Sequence, residues 1–169
     1  LTILVVFGLT GVDERMGLFE ATSAAFSTLP TGGFFPDARS LEGFAAATQW
    51  VVAAFMLIAG MNFALTYRSL VRRRPGMALR DEELRLYLGI LVAATALVAV
   101  ELWASGAAVG EAAIRHSFFQ VSSIMTTTGF ASVDFALWPV LAGMALILLM
   151  FVGGSAGSTG GSIKVVRHL

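Results

Sequence analysis

The chain is organised around Ser122-Ser-Ile-Met-Thr-Thr-Thr-Gly-Phe-Ala-Ser-Val-Asp134, a short Thr-rich turn between apolar segments of membrane-crossing length. A weaker copy lies 97 positions earlier, as Ser27-Thr-Leu-Pro-Thr-Gly-Gly-Phe34. This spacing aligns Thr31-Gly32 with Thr128-Gly129. The two copies predict a repeated pore unit with an ion filter in each repeat.

Threonine and glycine suit an ion filter for a physical reason. A cation that leaves water needs oxygen ligands in place of its hydration shell, and a ring of backbone carbonyls supplies them. Without a β-carbon, Gly32 and Gly129 can adopt positive φ and aim consecutive carbonyls at one axis. Threonine hydroxyls can add oxygens, although in membrane helices they often bond to backbone instead. The predicted ion-filter residues are Leu29, Pro30, Thr31, Gly32, Thr126, Thr127, Thr128 and Gly129.

The composition indicates a membrane protein. Hydrophobic residues make up 57% of the chain and charged residues 13%, whereas soluble domains carry about 25% charged residues. The formal net charge is zero, so nothing points to a nucleic-acid partner. The sequence contains no cysteine and only two histidines, and we therefore expect no disulfide and no metal cluster.

Both halves of the chain follow the same order of segments. Gly17–Leu29 and Gly110–Ser123 are short stretches that end at the two turns. Irregular backbone is tolerated at membrane depth only where protein or water shields it, so both stretches predict re-entrant pore helices. The C-terminal carbonyls of such helices favour a cation on the pore axis. Spanning helices are predicted at Gly43–Tyr67, Leu86–Ala104 and Phe135–Val152.

A basic loop sets the predicted orientation. Residues 68–85 contain six of the eleven Lys and Arg residues, and the positive-inside rule places them in the cytoplasm. The filter turns then face the outside. The predicted outer segments contain Asp13, Glu14, Glu20, Asp37, Glu42, Glu101, Glu111 and Asp134 against Arg15, Arg39 and Arg115. An acidic mouth of this kind would concentrate cations, although ordinary solvated loop charges explain the same composition.

The two ends of the sequence lead us to expect a piece of a longer protein. The chain begins with Leu1 instead of Met, and it stops shortly after a Gly-rich block. The opening apolar run, Leu1–Leu9, is too short to span a bilayer, which takes about 20 residues. We interpret it as the end of a helix, because a signal peptide would carry a basic start and a small-residue cleavage site.

These motifs resemble the Trk/Ktr/HKT potassium transporters, a family built from four concatenated repeats of helix, pore loop and helix. Thr31-Gly-Gly-Phe34 resembles the second filter of that family. Its third filter is matched by Thr126-Thr-Thr-Gly-Phe130, Asp134 and Trp138-Pro139, its linker by Gly60-Met-Asn-Phe-Ala-Leu65 and Asp81-Glu-Glu-Leu-Arg85, and the break in its third repeat by Phe151 to Arg167. Pro30 departs from the family pattern, which usually has serine there.

The resemblance implies an all-α polytopic membrane protein that forms part of a pseudo-fourfold, potassium-channel-like pore. It divides the chain into a partial repeat two (1–74), a cytoplasmic linker (75–85) and a repeat three (86–169). The implied activity is uptake of potassium across the cytoplasmic membrane, with K+ bound only at the filter carbonyls and no cofactor. The implied partners are membrane lipid, a second copy in a homodimer, and a cytosolic nucleotide-binding regulatory subunit.

A Gly-rich block interrupts the last predicted helix, and the resemblance implies that it acts as a gate beneath the filter. The predicted gate-loop residues are Gly153, Gly154, Ser155, Gly157, Ser158, Thr159, Gly160, Gly161 and Lys164. Glycine costs about 1 kcal/mol per residue in a helix relative to alanine, so the block favours a loop. A kinked helix packed through its small residues is the alternative. Lys164 is interpreted as an inner-surface anchor or as a charge that acts on the ion path.

Other functions are less consistent with the sequence. The Gly-rich block lacks the Gly-Lys-Ser/Thr order of a nucleotide-binding loop, because Ile163 precedes Lys164. No nucleophile, base and orienting residue are spaced as in a hydrolase, so we predict that the protein is not an enzyme. Two alternatives remain: a noncatalytic regulatory or assembly subunit with a non-conducting pore, and a membrane enzyme that binds phosphate at the Gly-rich block.

Overall fold

A computed structural model describes residue 11 and residues 13–71 and 81–168. The predicted helix end at Leu1–Leu9 and most of the basic linker lie outside these residues. The described part is helical, with one isolated parallel bridge between Val152 and Ile163, and it confirms the all-α fold class. The helices are α1 (Leu18–Thr28), α2 (Ala46–Ala59), α3 (Phe63–Val71), α4 (Glu82–Ala104), α5 (Gly110–Met125) and α6 (Val140–Leu149), with 3-10 turns at Phe135–Leu137 and Val165–His168.

Helix α4 is the longest helix, and among the described residues it alone is long and apolar enough to cross a membrane. Its 23 residues extend about 35 Å at 1.5 Å per residue. It begins four residues before the predicted start at Leu86, because the Asp81 carboxylate accepts a hydrogen bond from the Leu84 N–H and caps the helix. Glu82 and Glu83 in the first turn add favourable charge at the N-terminus.

The prediction of one continuous helix over Gly43–Tyr67 is wrong, because the chain breaks between α2 and α3. Gly60 ends α2, and the Asn62 Oδ1 atom accepts hydrogen bonds from the backbone N–H groups of Ala64 and Leu65. Asn62 therefore caps the helix that follows it. Gly60 and Asn62 are ordinary signals for a helix end and a helix start, but they lie within an apolar stretch long enough to span a bilayer.

The last predicted helix is also shorter than expected. Phe135–Leu137 forms a 3-10 turn, in which the Asp134 carboxylate accepts a hydrogen bond from the Ala136 N–H. Pro139 is the N-cap of α6, where its missing N–H costs no hydrogen bond. Helix α6 ends at Leu149, so the Gly-rich block lies outside any helix.

Helix α5 lies at the centre of the packing. One core cluster joins α4, α5 and α6 through residues such as Leu102, Val121 and Leu146. A second cluster places Phe119 of α5 against α1 and α2. Burying a side chain of this size stabilises the fold by about 1.5–3 kcal/mol. The pore helix predicted from the second turn is therefore held on both sides.

Candidate functional site: two filter turns and a Gly-rich loop

Each of the two turns follows the C-terminal end of a short helix, as predicted. Helix α1 ends at Thr28 and α5 at Met125, within two residues of the predicted ends. Positive φ values occur at Thr31 (56°) and Gly33 (69°) in the first turn. In the second turn they occur at Thr127 (59°) and Gly129 (87°). The two turns therefore share an alternating backbone conformation.

Their backbone hydrogen bonds match in the same way. The Ser27 carbonyl accepts from Gly32 N at 2.8 Å and from Gly33 N at 3.4 Å. In the second turn, the Ser123 carbonyl accepts from Thr128 N at 2.9 Å and from Gly129 N at 3.4 Å.

These equivalences relate the turns by 96 positions instead of the predicted 97. Gly33 is consequently the counterpart of Gly129, and Gly32 is the counterpart of Thr128. The alignment of Thr31-Gly32 with Thr128-Gly129 is wrong by one residue. Gly32 remains in the turn, but the glycine with positive φ is its neighbour.

The two turns contact each other directly. A β-carbon on Gly33 would lie 1.9 Å from the Thr128 carbonyl oxygen, so only glycine fits there. Segment 35–44 also braces the second turn, since Leu41 N donates to the Ala131 carbonyl at 2.9 Å. The Phe35 ring packs edge-on against Phe130 at a centroid distance of 6.1 Å. Gly33 and segment 35–44 therefore position the second turn.

The threonine side chains are used unequally. The Thr126 hydroxyl donates to the Ser122 carbonyl at 2.7 Å and lies 2.8 Å from the Thr128 hydroxyl, and both residues are buried. Thr127 is exposed. Since two of the three hydroxyls bond within the turn, the groups the turn can offer an ion are chiefly backbone carbonyls.

Thr31 and Thr127 adopt a conformation that costs a β-branched residue about 1–2 kcal/mol. The Gly-rich loop contacts both of them. The Thr31 hydroxyl reaches the Thr159 carbonyl at 3.2 Å as well as its own neighbour, the Pro30 carbonyl, at 2.7 Å. The Thr127 hydroxyl accepts from Gly161 N at 2.7 Å. The loop and the two turns therefore form one hydrogen-bonded unit.

Thr159 links the loop to the end of each neighbouring helix. Its hydroxyl lies 3.0 Å from the Leu29 carbonyl and 3.4 Å from the Ala59 carbonyl. Leu29 directly follows α1, and its carbonyl was predicted to face an ion. In this conformation the Thr159 hydroxyl donates a hydrogen bond to that carbonyl.

The loop also fills the break between α2 and α3. Ser155 N donates to the Gly60 carbonyl at 2.9 Å, and Phe63 N donates to the Gly157 carbonyl at 3.3 Å. The Glu83 carboxylate of α4 accepts from Ala156 N. These contacts explain why the helix breaks at Gly60, since its carbonyl and the Phe63 N–H find partners in the loop.

The remaining predicted gate-loop residues lie within the same hydrogen-bonded unit. Gly153, Gly154, Ser155 and Gly160 are buried, Ser158 is half-buried, and Gly157, Thr159 and Gly161 are exposed. The Lys164 ammonium donates to the Ser158 hydroxyl at 3.1 Å and to the Gly160 carbonyl. Lys164 therefore lies folded against the loop instead of anchoring at a surface.

The predicted acidic mouth requires one correction, at Asp13. This residue is 6% exposed, and its carboxylate accepts from Arg15 N, Ala45 N and the Thr48 hydroxyl. It fixes the N-terminus of α2, so it contributes structure instead of an exposed charge. Glu14, Asp37, Glu42, Glu111 and Asp134 are exposed.

Glu111 belongs to a network between α2 and α5. Its carboxylate accepts from the Trp50 indole at 2.8 Å and from Arg115 at 2.9 Å. The Trp50 hydrogen bond, assisted by Arg115, holds the pKa of Glu111 below its usual range. Arg115 in turn bonds to the Gln49 side chain. This network fixes the start of α5.

Several of these contacts have no recognisable sign in the sequence. Glu83 looks like an ordinary charge in a basic linker, and Tyr87 looks like an apolar residue of α4. Tyr87 is nevertheless fully buried, and its hydroxyl donates to the Leu57 carbonyl at 3.2 Å. Within the residues that the structure describes, no three His, Asp or Glu side chains are placed to hold a metal ion.

Comparison with known proteins identifies relatives along the whole chain. A family model described as "TrkH: Cation transport protein" matches residues 2–169. The Trk system potassium uptake protein TrkH of Halomonas elongata is 35% identical over 167 residues, which is 98% of this chain and 35% of that protein. TrkG of Escherichia coli K12, also named a Trk system potassium uptake protein, is 34% identical over 176 residues, covering 99% of this chain and 36% of that protein.

A solved structure agrees with this result. The crystal structure of the potassium transporter TrkH from Vibrio parahaemolyticus superposes with a TM-score of 0.89 at 32% identity. The match covers 99% of this chain and 36% of that one. The chain therefore spans about a third of the length of the relatives it matches.

Proposed function

The chain belongs to the TrkH cation transport protein family, and on that premise we propose that it contributes two repeats of a potassium-conducting pore. The relatives reported above are named for potassium uptake, and none of them is named as an enzyme. We therefore propose that the transported ion is K+ and that the protein catalyses no reaction.

The matched backbone of the two turns supports this function most strongly. Positive φ at Thr31, Gly33, Thr127 and Gly129 rotates successive carbonyls, which is the requirement for replacing the water of a cation with oxygen ligands. In the corrected register, the proposed filter segments are residues 29–33 and 125–129. Their carbonyls, with little help from the buried hydroxyls of Thr126 and Thr128, would bind the ion.

We propose that the Gly-rich loop is the gate and that the described conformation is closed. Its support is the hydrogen bonding of Thr159 to the Leu29 carbonyl and of Gly161 to Thr127, which holds the loop against both filter segments. Hydrogen bonds of this kind contribute about 0.5–1.5 kcal/mol each, so a few of them can be exchanged during opening. The alternative of a kinked helix finds no support in α6, which ends before the loop.

The remaining features of the proposal follow from sequence and family. The domain limits are a partial repeat two at 1–74, a linker at 75–85 and a repeat three at 86–169. We propose a multi-pass protein of the inner membrane, with residues 68–85 in the cytoplasm and the filter turns facing outside. Large exposed apolar side chains such as Val140 and Leu148 fit contact with lipid or with further repeats. A homodimer and a cytosolic nucleotide-binding regulatory subunit complete the proposed assembly.

Rubidium uptake tests this function. The complete transporter subunit that contains this chain is expressed, with its cytosolic partner, in cells that lack their own potassium uptake systems. We expect uptake that potassium inhibits much more strongly than sodium does. An inserted protein that takes up no rubidium would instead support the noncatalytic subunit, and nucleotide binding by the Gly-rich block would support the phosphate-binding enzyme.

A further inference from the structure

The Lys164 ammonium is surrounded by oxygen atoms of the Gly-rich loop. Nζ lies 3.1 Å from Ser158 Oγ and 3.4 Å from the Ser158 carbonyl oxygen, and it also donates to the Gly160 carbonyl. Lys164 is half-buried. Within residues 13–71 and 81–168, the ion pairs closer than 4.0 Å do not include Lys164. The charge is therefore held by dipoles, without a carboxylate.

This arrangement is the chemistry of a monovalent cation site. Potassium sites in filters use carbonyl and hydroxyl oxygens without a full countercharge. A lysine ammonium is a compact point charge with three donors, so three oxygens around it satisfy it in the same way. An ammonium and a potassium ion carry equal charge and are similar in size. The oxygens of Ser158 and Gly160 can therefore hold either.

The oxygen cluster lies close to the ends of both filter segments. A β-carbon on Gly160 would lie 2.9 Å from the Thr126 carbonyl oxygen, which shows that the loop backbone packs directly against the second turn. Thr159, between the two residues of the cluster, bonds to the Leu29 carbonyl of the first. The loop backbone that supplies the oxygen cluster therefore contacts both filter segments.

We propose that the Ser158 and Gly160 oxygens form a monovalent cation site in which Lys164 is the tethered occupant while the loop is closed. This proposal rests on the proposed function, because it adds a second cation site to the same ion path. A permeating ion and the Lys164 ammonium compete for the site. Opening requires the ammonium to leave, after which the loop oxygens are free to bind the ion.

Thallium, a heavy substitute for potassium, tests the site by anomalous diffraction. The complete transporter is crystallised with thallium as the wild type and as Lys164→Ala, which removes the ammonium and leaves room for an ion. We expect filter peaks in both proteins and an additional peak beside the Ser158 and Gly160 oxygens in the variant alone. Filter peaks without the additional peak would overturn the inference. Absence of filter peaks in both proteins would count against the proposed function itself.

Rubidium uptake without the regulatory partner provides a second readout that does not need crystals. Lys164→Ala should raise this basal uptake by about tenfold, equivalent to ~1.4 kcal/mol. Arg167→Ala is the matched control, because Arg167 is an exposed cation nearby with no side-chain hydrogen bond among the described residues. Basal uptake that stays low in Lys164→Ala, or that rises equally in Arg167→Ala, would show that the tethered charge does not occupy the ion path.

Discussion

Gly33 lies so close to the Thr128 carbonyl that a β-carbon at position 33 would be 1.9 Å from the carbonyl oxygen. This contact joins the two turns that we propose as filters, and it involves a residue that the 97-position alignment does not select. Position 32 is different, since the nearest atom to a β-carbon there is 3.5 Å away, in the Phe34 side chain. Alanine substitutions at these two neighbouring glycines can therefore be compared directly, because only position 33 lacks room for a β-carbon.

We predict that Gly33→Ala reduces rubidium uptake far more than Gly32→Ala. The substitution forces the two turns apart, and it places alanine at a φ of 69°. Strain of this kind costs about 1–3 kcal/mol, and about 3 kcal/mol corresponds to roughly a hundredfold in rate. Uptake is normalised to the amount of protein in the membrane. An equal or larger loss with Gly32→Ala would support the 97-position register and contradict the one described.

The break between α2 and α3 gives a second prediction. A β-carbon on Gly60 would lie 2.8 Å from Thr126 Cγ2 and would also clash with the Tyr87 hydroxyl. Gly60→Ala should lower the stability of the detergent-solubilised protein by about 1–3 kcal/mol through overpacking, seen as a lower midpoint of thermal denaturation.

Gly89 is the control for that measurement. It lies within α4 with nothing within 4 Å of its β-position, so Gly89→Ala should be neutral or stabilising by up to about 1 kcal/mol. Combining Gly60→Ala with Tyr87→Phe removes the clashing hydroxyl and should recover part of the loss. Equal midpoints for the two alanine variants would show that Gly60 is not packed as described.

Thr159 tests the contact between the loop and the first turn. Thr159→Val keeps the shape of the side chain and removes its hydrogen bonds to the Leu29 and Ala59 carbonyls. Losing about 1–2 kcal/mol from the closed state should raise basal rubidium uptake by roughly 5- to 30-fold. Thr159→Ser keeps the hydroxyl and should raise it less. Valine and serine variants with the same basal uptake would argue against a role for these hydrogen bonds in closure.

Asp13 gives a prediction about stability. Its buried carboxylate satisfies the Arg15 and Ala45 N–H groups and the Thr48 hydroxyl. Asp13→Asn should destabilise the protein by about 1–3 kcal/mol, because an amide cannot accept at both oxygen positions. Thermal denaturation in detergent measures the change, with exposed Glu14→Gln as the control. If both variants have the same denaturation midpoint as the wild type, the Asp13 carboxylate does not stabilise the fold as described.

The elements that depend on local sequence patterns could be predicted from the sequence alone. The two short helices before the turns end within two residues of their predicted limits, because a short helix before a Pro- or Thr-containing turn is a local pattern. The family resemblance is confirmed, and it rests on the same turns.

Features that depend on distant contacts were not predictable. Thr31-Gly32-Gly33 offers two glycines, and only the backbone conformation distinguishes the one that corresponds to Gly129. The partner of the Gly60 carbonyl at the break is also distant, since the N–H that donates to it belongs to Ser155. Asp13 resembles any exposed carboxylate until Ala45 and Thr48 are folded against it.

Selectivity of rubidium uptake in a Gly129→Ser variant tests the central claim most directly. Gly129 has a φ of 87°, and serine there would disturb the carbonyls on either side. The control is Gly143→Ser in α6, since nothing lies within 4 Å of its β-position. We predict that Gly129→Ser weakens the preference for potassium over sodium as a competitor, while Gly143→Ser leaves the preference unchanged. A well-expressed Gly129→Ser protein with wild-type selectivity would contradict the assignment of this turn as the potassium filter.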